Sequence, residues 1–294
     1  MKAKLLFTHA LTPLHPGTGQ GTGVIDLPIA REVATGIPYL PGSSLKGVLR
    51  DRYGDAEDSI TLFGPKPGNI SGDNSSASAL QFTDQRLLLL PVRSLAGTFA
   101  WITSPFILQR FKRTLGYLDI NDLPDVPQPN KEEAYTAVAP AIHLNNQVII
   151  EDLDFTAVTD SEETNPTTRW ANWISQYLFP NDAPGKGWRK TFNERFCIIH
   201  DDRLSFLLET ATEVIARNVL DENKTSQNLW YEEALPAETV LVGLITAQPV
   251  GTNGMNPNDA LNKVPDLIDG LTQLGGHATI GRGLCRLISV MNGG

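Results

Sequence analysis

Four short segments of the chain carry glycines and side chains whose types and spacing could bind an anion or act on one. In the first, residues 41–50, Ser43 or Ser44 can cap a helix whose first-turn amides would form an anion site at the positive end of the helix dipole. Lys46 and Arg50 lie one turn apart on one face and could hold a phosphate between them. On these residues alone, an ordinary capped helix with surface charges is the alternative.

The second segment runs from His15 to Asp26 and places alternating glycines between the two. Such glycines let a backbone approach a ligand closely, although the strand, helix and distant acid of a dinucleotide-binding fingerprint are missing. A carboxylate such as Asp26 can hold a metal ion beside an RNA strand or act as a base towards a 2′-hydroxyl. Taken alone, a turn-stabilising role for Asp26 and a structural role for His15 are the simpler interpretations.

The other two segments lie in the C-terminal half of the chain. A glycine-rich run suits either close approach to phosphate or a plain tight turn between a helix and a strand, and its candidate residues are Gly275, Gly276, Gly281, Arg282 and Gly283. Further upstream, the aromatic pair Trp230 and Tyr231 precedes two acids, Glu232 and Glu233. This group could stack on a base or assist cleavage, and core aromatics beside exposed acids are the alternative.

The composition narrows the class of protein. A net charge of −9 over 294 residues is unusual for a general nucleic-acid binder, but net charge does not map the surface field. Residues 86–113 contain five basic residues and no acid, which predicts a local basic stripe. The sequence has neither a signal peptide nor a membrane-spanning apolar run, so we expect a cytoplasmic protein with no membrane partner. Cys197 and Cys285 lie far apart in apolar surroundings and are predicted to be buried free thiols.

Periodicity and turn signals predict the elements that must position these segments. The predicted elements are strands at 3–10, 87–92, 99–103, 239–247 and 284–290, helices at 43–53, 104–118, 168–178 and 257–273, weak strands at 135–139, 147–150 and 153–158, loops at 12–41, 64–79, 121–134 and 180–190, and an extended hairpin over 212–219 and 227–233. This order predicts an α+β fold with a ferredoxin-like core and large insertions near 54–80 and 119–235. No linker separates two self-contained patterns, so a single domain over 1–294 is expected.

Taken together and in this order, the segments resemble the RAMP superfamily of CRISPR proteins, and in finer detail the backbone subunit of type III-B effector complexes, the Cmr complexes. The superfamily resemblance rests on residues 41–47 and on the glycine-rich loop at 275–283. The finer resemblance rests on four further runs, at 26–32, 88–94, 99–105 and 230–236. The resemblance covers nearly the whole chain and is weakest over 119–210.

This resemblance implies a modified RRM-like palm that binds the backbone of a CRISPR RNA, with a β-hairpin thumb projecting near 210–235. Copies of the chain would stack along one guide in a helical filament, beside other Cmr-type effector subunits. Each copy would cut single-stranded target RNA by a metal-dependent transesterification, in which the 2′-hydroxyl attacks the adjacent phosphate. Asp26 would act as the base or as a ligand of a divalent ion, Mg²⁺ or Mn²⁺, with His15 and Glu233 as helpers.

The same resemblance assigns the guide contacts. Lys46, Arg50 and Arg282 would touch the guide backbone, Trp230 and Tyr231 would belong to the thumb, and the RNA-binding surface would be completed by Ser43, Ser44, Gly275, Gly276, Gly281 and Gly283. Three other functions stay open: an RNA-binding filament subunit that cuts nothing, the equivalent backbone subunit of a type III-A complex, and a nucleotide-binding metabolic enzyme that uses the early glycines. The last predicts binding of a free nucleotide with no dependence on RNA.

Overall fold

The computed structural model describes residues 1–21, 23–65, 77–159, 164–250 and 255–290. The strands and helices of these ranges are, in chain order, β1 (Lys2–Ala10), β2 (Tyr39–Leu40), α1 (Gly42–Tyr53), α2 (Ser59–Phe63), β3 (Leu80–Phe82), β4 (Gln85–Arg93), β5 (Phe99–Thr103), α3 (Pro105–Gly116), β6 (Glu133–Thr136), β7 (Gln147–Ile150), β8 (Leu153–Val158), α4 (Pro166–Leu178), α5 (Ala183–Asn193), β9 (Phe196–Ile199), α6 (Asp201–Thr210), β10 (Glu213–Leu220), β11 (Ser226–Ala234), β12 (Val240–Ala247), α7 (Pro257–Asn262), α8 (Val264–Ile268), β13 (Leu271–Gln273) and β14 (Leu284–Val290), with a 3₁₀ turn at Ala278–Ile280.

One large mixed sheet runs through most of the described chain. Its strand order is β13-β14-β1-β12-β4-β5-β9-β6-β8-β7, with β2 beside β4 and β3 beside β12. The first strand, β1, lies between β12 and β14 and is antiparallel to both. Its residues 4–10 are all buried, and the polar ones among them, Lys4, Thr8 and His9, each have a hydrogen-bond partner. Helices pack on this sheet, so the predicted α+β class is confirmed.

The predicted hairpin forms a second, two-stranded sheet of β10 and β11. Its register pairs Glu213 with Ala234 and runs to Leu220 opposite Ser226. Most of its side chains are exposed, including apolar ones such as Leu229 at 56%. An isolated hairpin is marginally stable in water, so its base must be held by the rest of the chain.

The loop predicted at 180–190 is wrong, because α5 begins inside it. Asp182 is the N-cap residue, and its side chain accepts a hydrogen bond from the Gly185 amide at 2.7 Å. Pro184 lies in the first turn, where its missing amide hydrogen costs nothing. The polar and Gly/Pro signals that indicated a loop are therefore the start of a helix.

The single helix predicted at 257–273 is also wrong. The structure has two short helices, α7 and α8, followed by β13, which pairs with β14. Pro265 cannot continue a helix from the preceding turn, and it starts α8 instead. Gly270 then turns the chain with a φ of 71°, a conformation that glycine adopts without steric cost.

Several shorter elements were not predicted at all. They are β2, α2, β3, β9, α6 and β13, and most of the predicted loop at 64–79 lies outside the described residues. Cys197 and Cys285 are buried free thiols, as predicted. Burial raises the pKa of Cys285 to about 12 and raises the pKa of Cys197 as well. Within the described ranges, no helix has the length and apolar character that a membrane crossing requires.

Candidate functional site

The two N-terminal candidates, Asp26 and His15, both hydrogen-bond to the backbone along one edge of β11. The Tyr231 amide donates to Oδ2 of Asp26 at 2.8 Å, and the Tyr231 carbonyl accepts from the Leu27 amide at 3.0 Å. Two residues later, the Glu233 amide donates to the Leu27 carbonyl at 3.0 Å, and Nδ1 of His15 donates to the Glu233 carbonyl at 2.5 Å. The two side chains are therefore anchored roughly 7 Å apart along one strand edge.

Asp26 sits on a glycine arm, defined here as residues 17–29 apart from position 22. The arm folds back on itself through a bridge between Gly17 and Ile29 and a 2.8 Å bond from the Gly21 amide to the Asp26 carbonyl. Asp26 is exposed, and it lines a cleft between the arm and the hairpin together with Gln20, Gly21, Leu27, Asn228, Leu229 and Trp230. The carboxylate is thus oriented by one backbone amide and remains open to a ligand.

His15 is buried, with 6% of its surface exposed. Because its partner at Nδ1 is a carbonyl oxygen, Nδ1 carries the proton, and Nε2 is the acceptor whenever the ring is neutral. The ring meets His277 edge-on, with ring centroids 4.8 Å apart. A β-carbon on Gly17 would lie 2.5 Å from Nε2 of His15, so this glycine makes room for the imidazole.

Glu233 is a buried brace at 3% exposure. Its Oε1 accepts from Arg31 at 2.6 Å and from the Thr212 hydroxyl at 2.9 Å, and its Oε2 accepts from the Ile29 amide at 3.1 Å. Arg31 also donates to the Leu208 carbonyl at 2.9 Å, at the end of α6. Glu233 therefore ties the glycine arm to α6 and to the hairpin, and its catalytic role stays a prediction.

Glu232 points to the other face of β11, since side chains alternate along a strand. It is 3% exposed and accepts a 2.9 Å bond from Nε1 of Trp230. Its carboxylate also lies 3.3 Å from Nε of Arg217, 3.5 Å from Nη1 of Arg282 and 3.8 Å from Nδ1 of His277. Burial raises the pKa of Glu232, but Trp230, His277 and Arg217 together outweigh burial and hold the pKa below its usual value.

Sequence reasoning gave no role to Arg31 or Arg217, and it gave Glu232 and His277 no role of their own within their segments. For Glu232 and Glu233 the signal was present in the strand pattern, because adjacent residues of a strand must face opposite sides. The approach of His277 to Glu232 could not be found locally, because the two residues lie in separate segments of the chain. The exposed Tyr231 and the half-buried Trp230 lie where the hairpin meets the cleft, and their role in base stacking stays a prediction.

The first turn of α1 differs from the serine cap that the sequence predicts. The N-cap residue is Pro41, and the Gly42 amide donates to Oδ1 of Asp84 at 2.9 Å. Ser43 and Ser44 lie in the first turn with exposed side chains, and neither makes a capping bond. The cap comes from a residue that follows the third strand, so the serines are left facing outward.

Lys46 and Arg50 share a face of α1, but both already have partners. Nζ of Lys46 donates to the Ser78 hydroxyl at 3.1 Å, and burial together with the nearby Arg50 charge lowers the pKa of Lys46. Nη2 of Arg50 donates to the Phe63 carbonyl at 2.6 Å and to the Gly64 carbonyl, where it satisfies the end of α2. Arg50 is thus a structural cap in this chain, and phosphate binding by the pair stays a prediction.

The glycine-rich turn packs against the chain itself. A β-carbon on Gly275 would lie 2.4 Å from the His15 carbonyl oxygen, and one on Gly283 would lie 1.8 Å from the Leu274 carbonyl oxygen. Gly276 donates its amide to the His15 carbonyl at 2.9 Å, whereas Gly281 faces open space. Gly275 and Gly283 are required for internal packing. A further role of the glycines in this turn, as contacts to RNA, stays a prediction.

Arg282 is buried in the folded chain. The residue is 5% exposed, and it faces Glu232 inside the protein. Its role as a contact to the guide backbone stays a prediction.

The basic stripe predicted over residues 86–113 is largely neutralised. Glu32 pairs with Arg86 at 3.1 Å and with Arg110 at 2.6 Å. Two more acids, Glu151 and Asp125, lie 3.3 Å from Arg93 and 3.6 Å from Lys112 respectively. All three acids come from outside the segment, so a count of local charge could not anticipate this outcome.

A metal ion would have few protein ligands at this site. No group of three His, Cys, Asp or Glu residues in the described part of the chain could hold one. Mg²⁺ commonly keeps several waters and binds through one or two carboxylates together with substrate phosphates. The exposed Asp26 fits that mode, in which the RNA would complete the coordination.

Comparison with known proteins gives the family. The sequence profile of the RAMP superfamily matches residues 9–286. The chain is 34% identical over 298 aligned residues to the CRISPR system Cmr endoribonuclease Cmr4 of Pyrococcus furiosus, covering 98% of this chain and 95% of that protein.

Solved structures agree with this assignment. The crystal structure of oligomeric Cmr4 from Pyrococcus furiosus superposes with a TM-score of 0.76 at 30% identity, over 99% of this chain and 98% of that one. A chain of the type III-B Cmr-beta complex bound to cognate target RNA gives a TM-score of 0.71 at 18% identity, over 98% and 97%, which supports the fold alone. The chain therefore belongs to the RAMP superfamily and, within it, to the Cmr4 family.

Proposed function

We propose that this chain is the repeated backbone subunit of a type III-B Cmr effector complex and cuts target RNA that pairs with the guide. The identity of 34% to a protein named as an endoribonuclease supports the activity. The observation that carries the site is the exposed Asp26 carboxylate, fixed by the Tyr231 amide in a cleft between the glycine arm and the hairpin. Other Cmr-type subunits, further copies of this chain, the CRISPR RNA and single-stranded target RNA are the proposed partners, in the cytoplasm.

The proposed reaction is a transesterification within the target strand. The 2′-oxygen loses its proton, forms a bond to the adjacent phosphorus, and the bond from phosphorus to the 5′-oxygen of the next nucleotide breaks. Asp26 either takes the proton or holds the group that activates the 2′-hydroxyl. A divalent ion, Mg²⁺ or Mn²⁺, bound at Asp26 would supply Lewis-acid stabilisation of the phosphate charge. No Ser or Cys nucleophile is required, because the RNA supplies its own.

Two further side chains have proposed parts in this reaction. His15 presents Nε2 as a hydrogen-bond acceptor, because Nδ1 is committed to the Glu233 carbonyl. If that nitrogen takes the proton of the 2′-hydroxyl, it can give the same proton to the departing 5′-oxygen, which then leaves as a hydroxyl group. Glu233 acts through position, since it holds the arm that carries Asp26.

The proposed guide-binding residues include the first turn of α1. The exposed serines Ser43 and Ser44, with Lys46 one turn on, can contact phosphates, and such contacts position RNA without specifying its sequence. Sequence would be read by base pairing with the guide, so a narrow binding surface is enough for a chain with a net charge of −9. Trp230 and Tyr231 are the proposed stacking residues where the hairpin meets the duplex.

The test is Asp26→Asn in the assembled complex, with Asp154→Asn as the matched control on the exposed face of β8. We expect Asp26→Asn to slow cleavage by about 10² to 10⁴-fold, while guide and target binding stay unchanged. The control should cut at the wild-type rate. Equal cleavage by wild type and Asp26→Asn would overturn the catalytic assignment and leave an RNA-binding subunit that cuts nothing.

A further inference from the structure

Glu232 and Arg282 form a buried group of charges next to His277, the ring that packs against His15. We propose that the Glu232–Arg282 ion pair sets the charge of His277, whose ring packs against His15, and so controls whether Nε2 of His15 can accept a proton. Arg282 is then a positioning residue that acts through Glu232 and does not touch RNA. This inference rests on the proposed function, because it concerns a helper of the cleavage reaction.

The geometry ties Arg282 and His277 into one unit. The Arg282 amide donates to the His277 carbonyl at 3.4 Å and closes the turn between them. His277 adopts a left-handed conformation with a φ of 65°, which is unusual for a residue other than glycine. This turn places the His277 ring against His15, with centroids 4.8 Å apart, while its Nδ1 faces Glu232 at 3.8 Å.

Arg282 is enclosed with little besides Glu232 to balance it. It is 5% exposed, and its Nη1 lies 3.5 Å from Oε2 of Glu232. Among the described residues, neither of its terminal nitrogens has a hydrogen-bond acceptor. A buried cation with so few bonds depends on its neighbouring carboxylate, and the carboxylate depends equally on the cation.

The charges that face the histidine pair are closely balanced. His277 faces Glu232 on β11, Arg217 on β10, Arg282 on its own turn and the His15 ring, and Glu213 on β10 interacts with Arg282. Burial lowers the pKa of His277 most, Glu232 raises it, and His15, Arg282 and Arg217 lower it, so the net shift is downward. Two neutral rings can lie at 4.8 Å without the repulsion that two imidazolium ions would suffer.

Opposite substitutions should therefore act in opposite directions. Arg282→Gln leaves the carboxylates in excess, which favours protonation of His277. Glu232→Gln leaves the guanidinium groups in excess, which disfavours protonation of His277. If cleavage requires an uncharged His277 against the His15 ring, the acid limb of the pH–rate profile must move up in the first variant and down in the second.

The experiment is single-turnover cleavage against pH in the assembled complex. We expect the acid limb to move by about one pH unit in each direction, with plateau rates within a few-fold of wild type. The exposed pair Arg203 and Glu132, joined at 2.7 Å, gives matched controls, and Arg203→Gln and Glu132→Gln should leave the limb in place. Shifts in the same direction, or no shift in either variant, would overturn the inference.

Three further results complete the test. If Arg282→Gln fails to assemble, Arg217→Gln removes the other cation that faces His277 and must also move the limb up. The salt dependence of guide binding must not change in Arg282→Gln, because loss of a phosphate contact would lower its slope by about one. If Asp26→Asn is inactive but the acid limb does not move in the Arg282 and Glu232 variants, this inference alone is overturned. If Asp26→Asn cuts RNA at the wild-type rate, the proposed function is overturned.

Discussion

The glycine arm and the base of the hairpin use carboxylates in opposite ways. Asp26 on the arm is exposed. Among the described residues, its side chain accepts one hydrogen bond, from the Tyr231 amide. Glu233 at the hairpin base is 3% exposed and accepts three bonds, from Arg31, Thr212 and the Ile29 amide. An acid that must meet a substrate stays open, and an acid that must hold another residue in place is buried and fully bonded.

The largest expected effect on stability comes from replacing Glu233, whose carboxylate holds the glycine arm. Glu233→Gln leaves Arg31 without its charged partner, so we expect a loss of about 3 kcal/mol in the free energy of unfolding. Asp26→Asn should change that free energy by no more than about 0.5 kcal/mol, because the side chain is exposed. Urea unfolding at one fixed protein concentration measures both. A loss of stability in Asp26→Asn as large as that of Glu233→Gln would mean that Asp26 is itself structural.

This comparison also shows what the sequence could and could not predict. The glycines between His15 and Asp26 marked a segment where backbone lies close to another group, and the alternation of β10 and β11 marked the hairpin. The sequence could not show that the two meet, because Asp26 and its Tyr231 partner are 205 residues apart. Local chemistry therefore found the candidates and missed the strand edge that aligns them.

Errors in the sequence predictions share one physical cause. Ser43 and Ser44 are residue types that favour the cap position, but Asp84, from another part of the chain, accepts the hydrogen bond from the Gly42 amide. Five basic residues within the segment 86–113 predicted a stripe, but Glu32 forms ion pairs with two of them. In each case a tertiary partner outweighed a correct local preference.

A smaller effect on stability is expected from alanine substitutions in the glycine-rich turn that packs against His15. Gly275→Ala adds a β-carbon 2.4 Å from the His15 carbonyl oxygen at a φ of 72°, and backbone cannot move aside easily. We expect it to destabilise the chain by about 2 kcal/mol. Gly281→Ala is the matched control, since its φ is 82° but nothing lies within 4 Å, and it should cost about 1 kcal/mol from strain alone.

Thermal or urea unfolding of both alanine variants distinguishes packing from strain. Equal losses would show that the turn at 275–283 does not need to lie against His15. If the packing matters, Gly275→Ala should also slow cleavage, because it displaces the segment that carries His15. Gly281→Ala should cut at close to the wild-type rate, unless that glycine contacts RNA as predicted.

The smallest expected effect concerns Glu32, which lies between the arm and the basic segment at 86–113. Its hydrogen bond with Arg110 lowers its pKa most, burial opposes this, and Thr35 and Arg86 lower it further, so the net pKa lies below the usual value. A carboxyl with a depressed pKa in the folded state stabilises the protein above its unfolded pKa, near 4.3. That stabilisation is lost as the pH falls through the folded pKa.

Glu32→Gln should therefore be less stable than wild type by about 1 kcal/mol at pH 7, and the difference should vanish at the most acidic pH where the fold survives. Urea unfolding of both proteins from pH 7 down to the acid transition measures this. Glu132→Gln is the control, because its ion pair with Arg203 is exposed and should contribute less. A difference that persists unchanged into acid would assign the role of Glu32 to packing and not to its charge.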